Sequence, residues 1–112
     1  MNNWEEIEET LENLDLALAE AKRRGAAWAA ANAHYYSVKA EAVYRLRTEG
    51  MPATLIASAV KGEPEVNAAL EERDRLEVEY DNAREARNVY KKKLDTLREE
   101  REREWNRSGM SD

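Results

Sequence analysis

Two long stretches with apolar residues at three-four spacing, separated by one short segment that holds every proline of the chain, set tight limits on the fold. The first stretch runs through Trp4, Ile7, Leu11, Leu14, Leu18, Ala21, Trp28 and Tyr35. The second runs through Val66, Leu70, Leu76, Tyr80, Ala83, Tyr90, Leu94, Leu97 and Trp105. This spacing follows the period of a helix, not the alternation of a strand. The break from Gly50-Met51-Pro52 to Gly62-Glu63-Pro64 is too long and too rich in proline to be a stutter within one helix.

The sequence therefore predicts an all-α antiparallel helical hairpin, coiled-coil-like, in a single domain over 1–112. The helices are expected at 4–49, 52–61 and 64–105, with a frayed tail at 106–112. Asn2 or Asn3 can cap the first helix, because a short polar side chain accepts from a free backbone N–H. Glu5, Glu6, Glu8 and Glu9 then lie where the helix dipole favours negative charge. Gly50 suits a left-handed C-terminal cap, and Pro52 and Pro64 suit the first turns of new helices. Gly25, inside the first helix, is a tolerated glycine, a close helix contact or a kink.

In an antiparallel pair, facing residues have numbers that sum to a near-constant value. Trp4 with Trp105, Trp28 with Tyr80 and Tyr35 with Leu76 give sums of 108–111. This register makes Trp4, Trp105, Trp28 and Tyr80 a structural clamp, and Trp105→Ala is expected to cost about 3–5 kcal/mol if the ring is buried. A helix of some 45 residues is roughly 68 Å long, and two such slender helices bury little apolar surface. A homodimer forming a four-helix arrangement is the expected remedy. The alanine-rich run around Trp28, with small residues on several faces, suits a second helical neighbour or equally reflects high helix propensity. Arg73, Arg87 and Arg101 fall on or beside the apolar stripe. Their stems can lie along apolar surface, or they can pair with acids of a partner chain.

Composition narrows the function classes. Charged residues make up 38% of the chain and aromatics 7%, the balance of long helices and not of a compact globule. Cysteine is absent, so there is no disulfide, thiolate metal site or cysteine nucleophile. His34 is the only histidine. No nucleophile–base set can be assembled around it, and no Glu-x-x-His pairs are present for a di-metal carboxylate bundle. The expectation is a protein that is not an enzyme and uses no cofactor or metal. The acidic start lacks the basic and apolar segments of a signal peptide, and no run approaches the length of a membrane span. A cytoplasmic protein without membrane contact is expected.

Net charge is −6, distributed unevenly. Residues 1–20 hold seven acids and no Lys or Arg. In the aromatic register, Lys22, Arg23 and Arg24 stand opposite Arg84, Arg87, Lys91, Lys92 and Lys93. This basic belt is a candidate interaction surface for nucleic acid or an acidic protein. The competing reading is that its cations neutralise the acidic end. The segment from Glu49 to Gly62 resembles the first half of a helix-turn-helix. The helix after it opens with Glu63-Pro64-Glu65, though, and an element that reads DNA should not lead with acids.

The block from Ala42 to Lys93 carries Tyr44-Arg45-Leu46-Arg47, Gly50-Met51-Pro52-Ala53-Thr54, Val60-Lys61-Gly62 and a Lys-rich helix with Tyr90 and Leu94. It resembles short helical proteins of bacteriophages and prophages, some of them encoded beside recombination genes. The resemblance covers about half of the chain and implies a phage accessory protein. It assigns a role to no single residue. The functions in view are thus an interaction or scaffold protein with a host or phage partner, an accessory nucleic-acid-binding factor, and a coiled-coil spacer.

Overall fold

A computed structural model describes residues 3–110, without the side chain of Met110. The chain is all-α, a helical hairpin in which two long helices are joined by a short one: α1 (Asn3–Thr48), α2 (Ala53–Lys61) and α3 (Pro64–Met110). It packs as two compact units. One is formed by the chain up to Lys22 and from Asp81 onward, the other by Arg23–Tyr80.

In the Arg23–Tyr80 unit, the connection is fixed by backbone chemistry at Gly50. Its φ of +91° is a conformation that a side chain disfavours. The Met51 N–H donates to the Leu46 carbonyl and the Gly50 N–H to that of Arg47, both at 3.0 Å. Together these satisfy the orphan carbonyls of the α1 terminus in the Schellman pattern, with Met51 packed on the cluster that contains Leu46. Pro52 precedes α2, and the Leu55 N–H donates to its carbonyl at 2.9 Å. The apolar face of α2 then closes over Ala42, Leu46 and Val66 through Ile56 and Val60, the latter 1% exposed. Arg45, in the last turn of α1, reaches Glu63 and Glu65 at the start of α3, at 2.9 and 3.0 Å, and Glu49 at 3.7 Å. Its guanidinium is held above its ordinary pKa, first by the hydrogen bond and charge of Glu63, then by Glu65 and Glu49.

Further along this unit, Trp28 stacks on Tyr80 with ring centroids 6.4 Å apart, and the Arg73 guanidinium lies 4.6 Å from the Tyr35 ring centroid. α1 continues as one helix through Gly25. That glycine is a site of close approach: a Cβ there would meet Cε1 and Cζ of Tyr80 at 3.0 Å.

In the other unit, Ile7, Leu94 and Leu97 are buried together, with Leu14 against them. Thr10 is 1% exposed, and its hydroxyl has no hydrogen-bond partner. The guanidinium of Arg101 covers the Trp4 ring at 4.4 Å. The expected clamp of Trp4 on Trp105 does not form, and Trp105 is 75% exposed. Matching ring to ring at this end placed the partner of Trp4 one helical turn too far along α3, because the ring takes the Arg101 cation as its cover. Arg101 and Arg87 are fourteen residues apart and so fall in the same column of the seam. Arg87 there is half-buried, with Nε enclosed and unpartnered.

Two boundaries differ from expectation. α3 runs to Met110, beyond the predicted end near Trp105. Asn106, Arg107 and Ser108 contain no breaker, and an exposed helix tolerates polar residues. Asn3 is the first helical residue and not a cap, its Oδ1 lacking a partner. The alternative cap, Asn2, lies outside the described residues, as does the end of the predicted frayed tail.

Candidate functional site

Among the described residues, no three His, Cys, Asp or Glu side chains converge in a way that could hold a metal ion. No described helix is long and apolar enough to cross a membrane.

The basic belt divides between the two units. In the Arg23–Tyr80 unit, Arg24 is half-buried and pairs with Glu79 at 2.8 Å, and Arg23 is also engaged. In the other unit, Arg84 pairs with Asp81 at 2.7 Å. Lys22, Lys91, Lys92 and Lys93 are exposed. The three consecutive lysines fan out at about 100° per residue around the helix, so they do not present one face. A hollow of about 410 Å³ among Asp81, Arg84, Glu85, Arg87 and Asn88 is polar and carries both signs of charge. Another, of about 480 Å³ around Trp105, is lined entirely by α3 and is a groove along a single helix.

Two further surfaces carry more chemistry. In the unit containing the α1 N-terminus, Trp4, Leu11 and Leu18 are exposed at seven-residue intervals, at 51, 39 and 42%. They flank the seam of Ile7, Leu14 and Ala21 without entering it. Exposed Glu8, Glu12 and Asp15 share this flank, and no ion pair reaches them among the described residues.

In the Arg23–Tyr80 unit, a cleft of about 350 Å³ opens between α1, α2 and the start of α3. Its α1 wall is a ridge at four-residue spacing, Tyr35, Lys39, Val43 and Arg47. Its floor is Ile56, Val60 and Val66. Lys39, Arg47 and Lys61 stand at the rim with no carboxylate among the lining residues. The acids at this end of the unit, Glu49, Glu63 and Glu65, are all drawn to Arg45. The sequence reading missed this cleft. The signal was present in the four-residue repeat of Tyr35, Lys39, Val43 and Arg47, combined with the apolar face of α2.

No protein-family model, curated protein or solved structure matches the chain.

Proposed function

We propose that this is a non-enzymatic helical interaction protein that acts by protein–protein contact and self-associates as a dimer. In this reading it serves in an accessory or scaffolding role of the kind its resemblance to phage and prophage proteins suggests. One observation carries the proposal: Trp4, Leu11 and Leu18 repeat at heptad spacing on the outside of the α1 seam and remain partly exposed. A column of large apolar side chains beside a coiled-coil seam is what a further helix packs against. Single exposed apolar residues are ordinary; a regular column of three is an interface signature.

Support also comes from the part of the basic belt that is already engaged. A nucleic-acid site needs cations free to replace counterions along a backbone. Arg24 and Arg84 instead hold Glu79 and Asp81.

Light scattering at two protein concentrations tests the proposal. The expected mass is about twice 12.9 kDa, falling to that of one chain in Leu11→Glu/Leu18→Glu. A wild-type mass of one chain at both concentrations would overturn self-association.

A further inference from the structure

The flank that carries the exposed column cannot easily pair with itself. Glu8, Glu12 and Asp15 lie among Trp4, Leu11 and Leu18, so flank against flank would set carboxylates against carboxylates and incur like-charge repulsion. Its complement must be apolar in the middle and cationic around it.

The cleft in the Arg23–Tyr80 unit has that composition. Its floor is Ile56, Val60 and Val66, and Lys39, Arg47 and Lys61 form its rim. No ion pair reaches these cations among the described residues; Lys39 is engaged only with the Tyr35 ring, at 5.9 Å. What sets them apart from the other exposed cations of the chain is their place around an apolar hollow with no carboxylate in its lining.

Spacing adds to charge. Lys39 and Arg47 are eight residues apart on α1, about 12 Å along the axis, with Val43 between them. Glu8 and Asp15 are seven residues apart, about 10.5 Å, with Leu11 between them. Cations this far apart are not satisfied by the single head group of a small anionic amphiphile. They suit carboxylates spaced along a helix, with one apolar side chain entering the hollow. At about 350 Å³ the hollow holds a leucine or tryptophan side chain, near the lower end of the roughly 300–1,000 Å³ typical of ligand sites.

We infer that the cleft between α1 and α2 is a docking site for a second copy of this chain, receiving its acidic flank with Leu11 inserted and Glu8, Glu12 and Asp15 meeting Lys39, Arg47 and Lys61. This inference rests on the self-association proposed above and specifies its surfaces. Each copy carries both surfaces, so in a closed pair the contact would be made twice.

A charge-swap experiment tests it. Lys39→Glu/Arg47→Glu/Lys61→Glu alters the cleft, and Glu8→Lys/Glu12→Lys/Asp15→Lys alters the flank. All six positions are exposed, so helicity and melting serve as folding controls. Each variant alone is expected to show half the wild-type mass by light scattering. The equimolar mixture, in which acidic clefts meet basic flanks and basic clefts meet acidic flanks, is expected to regain the dimer mass. Either variant remaining dimeric, or the mixture remaining monomeric, would overturn the inference and leave self-association standing. A monomeric wild type would overturn both. If the cleft variant stays dimeric yet loses binding of a fluorescein-labelled peptide of residues 3–20 that the wild type retains, the cleft takes a foreign acidic helix and the second-copy assignment fails.

Discussion

Gly25→Ala sets two effects of known sign against each other. In a helix interior, alanine is favoured over glycine by about 1 kcal/mol. Here, however, the new methyl would stand 3.0 Å from Cε1 and Cζ of Tyr80 and 3.4 Å from its hydroxyl. The ring has limited room to retreat, because it stacks on Trp28 at 6.4 Å. Over-packing of this kind costs about 1–3 kcal/mol, so the net change in the wild-type background is a loss of about 1 kcal/mol. Removing the ring removes the obstacle: in a Tyr80→Ala background the same substitution should stabilise by about 1 kcal/mol. The two effects of Gly25→Ala thus differ by about 2 kcal/mol, a coupling measurable by urea unfolding of the four proteins in a double-mutant cycle. Protein concentration must be held constant, since self-association would shift apparent stability. Equal stabilisation in both backgrounds would refute the view that the Tyr80 ring requires glycine at position 25.

Thr10→Val should stabilise by about 1 kcal/mol in the same assay, because it replaces a buried hydroxyl without a partner by a methyl group of similar shape. Trp105→Ala should change stability by less than about 0.5 kcal/mol, the ring being 75% exposed. Val60→Ala, at a 1% exposed site under α2, should cost about 2 kcal/mol, so the ranking by residue size is inverted. Arg45→Gln should lower the melting temperature at low salt and leave it less sensitive to added salt, since the lost pairs lie near water. The guanidinium pKa is raised in the folded state, so the contribution of Arg45 itself is complete at every pH below its ordinary value and fades only above it. A pH titration should therefore show no alkaline loss attributable to this group below about pH 12.

The hairpin was legible because its determinants are local. The three-four spacing fixes the helices, and Gly50, Pro52, Gly62 and Pro64 place the turns within a residue or two. The pairing of Trp28 with Tyr80 was legible because both lie in the seam. At the open end, the aromatic match misled. Trp4 and Trp105 are similar residues at a plausible register, but sequence similarity does not say whether a ring will be covered by another ring or by a guanidinium. The cleft was harder to see because it depends on α2 folding back on the Tyr35-to-Arg47 ridge. Its unbalanced charge emerges only once Arg45 is found to gather Glu49, Glu63 and Glu65.

The composition of the core bears on why large apolar side chains are left exposed. Among the described residues, Ala17, Ala21, Ala31, Ala42, Ala69 and Ala83 are buried, and each removes little surface from water. Alanine brings helix axes close together and leaves the larger contacts to half-buried groups such as Trp28, Tyr35, Tyr80 and the stems of Arg73 and Arg87. Large side chains enter the seam only in clusters such as Ile7, Leu94 and Leu97. Trp4, Leu11 and Leu18 stand beside the seam of Ile7, Leu14 and Ala21 and are left partly exposed. Their burial requires a surface that this seam does not provide. Widening the seam would be the wrong remedy: Ala17→Leu or Ala21→Leu would push the helices apart, at about 1–3 kcal/mol of over-packing. The docking proposed above would leave the seam intact and bury Leu11 as well.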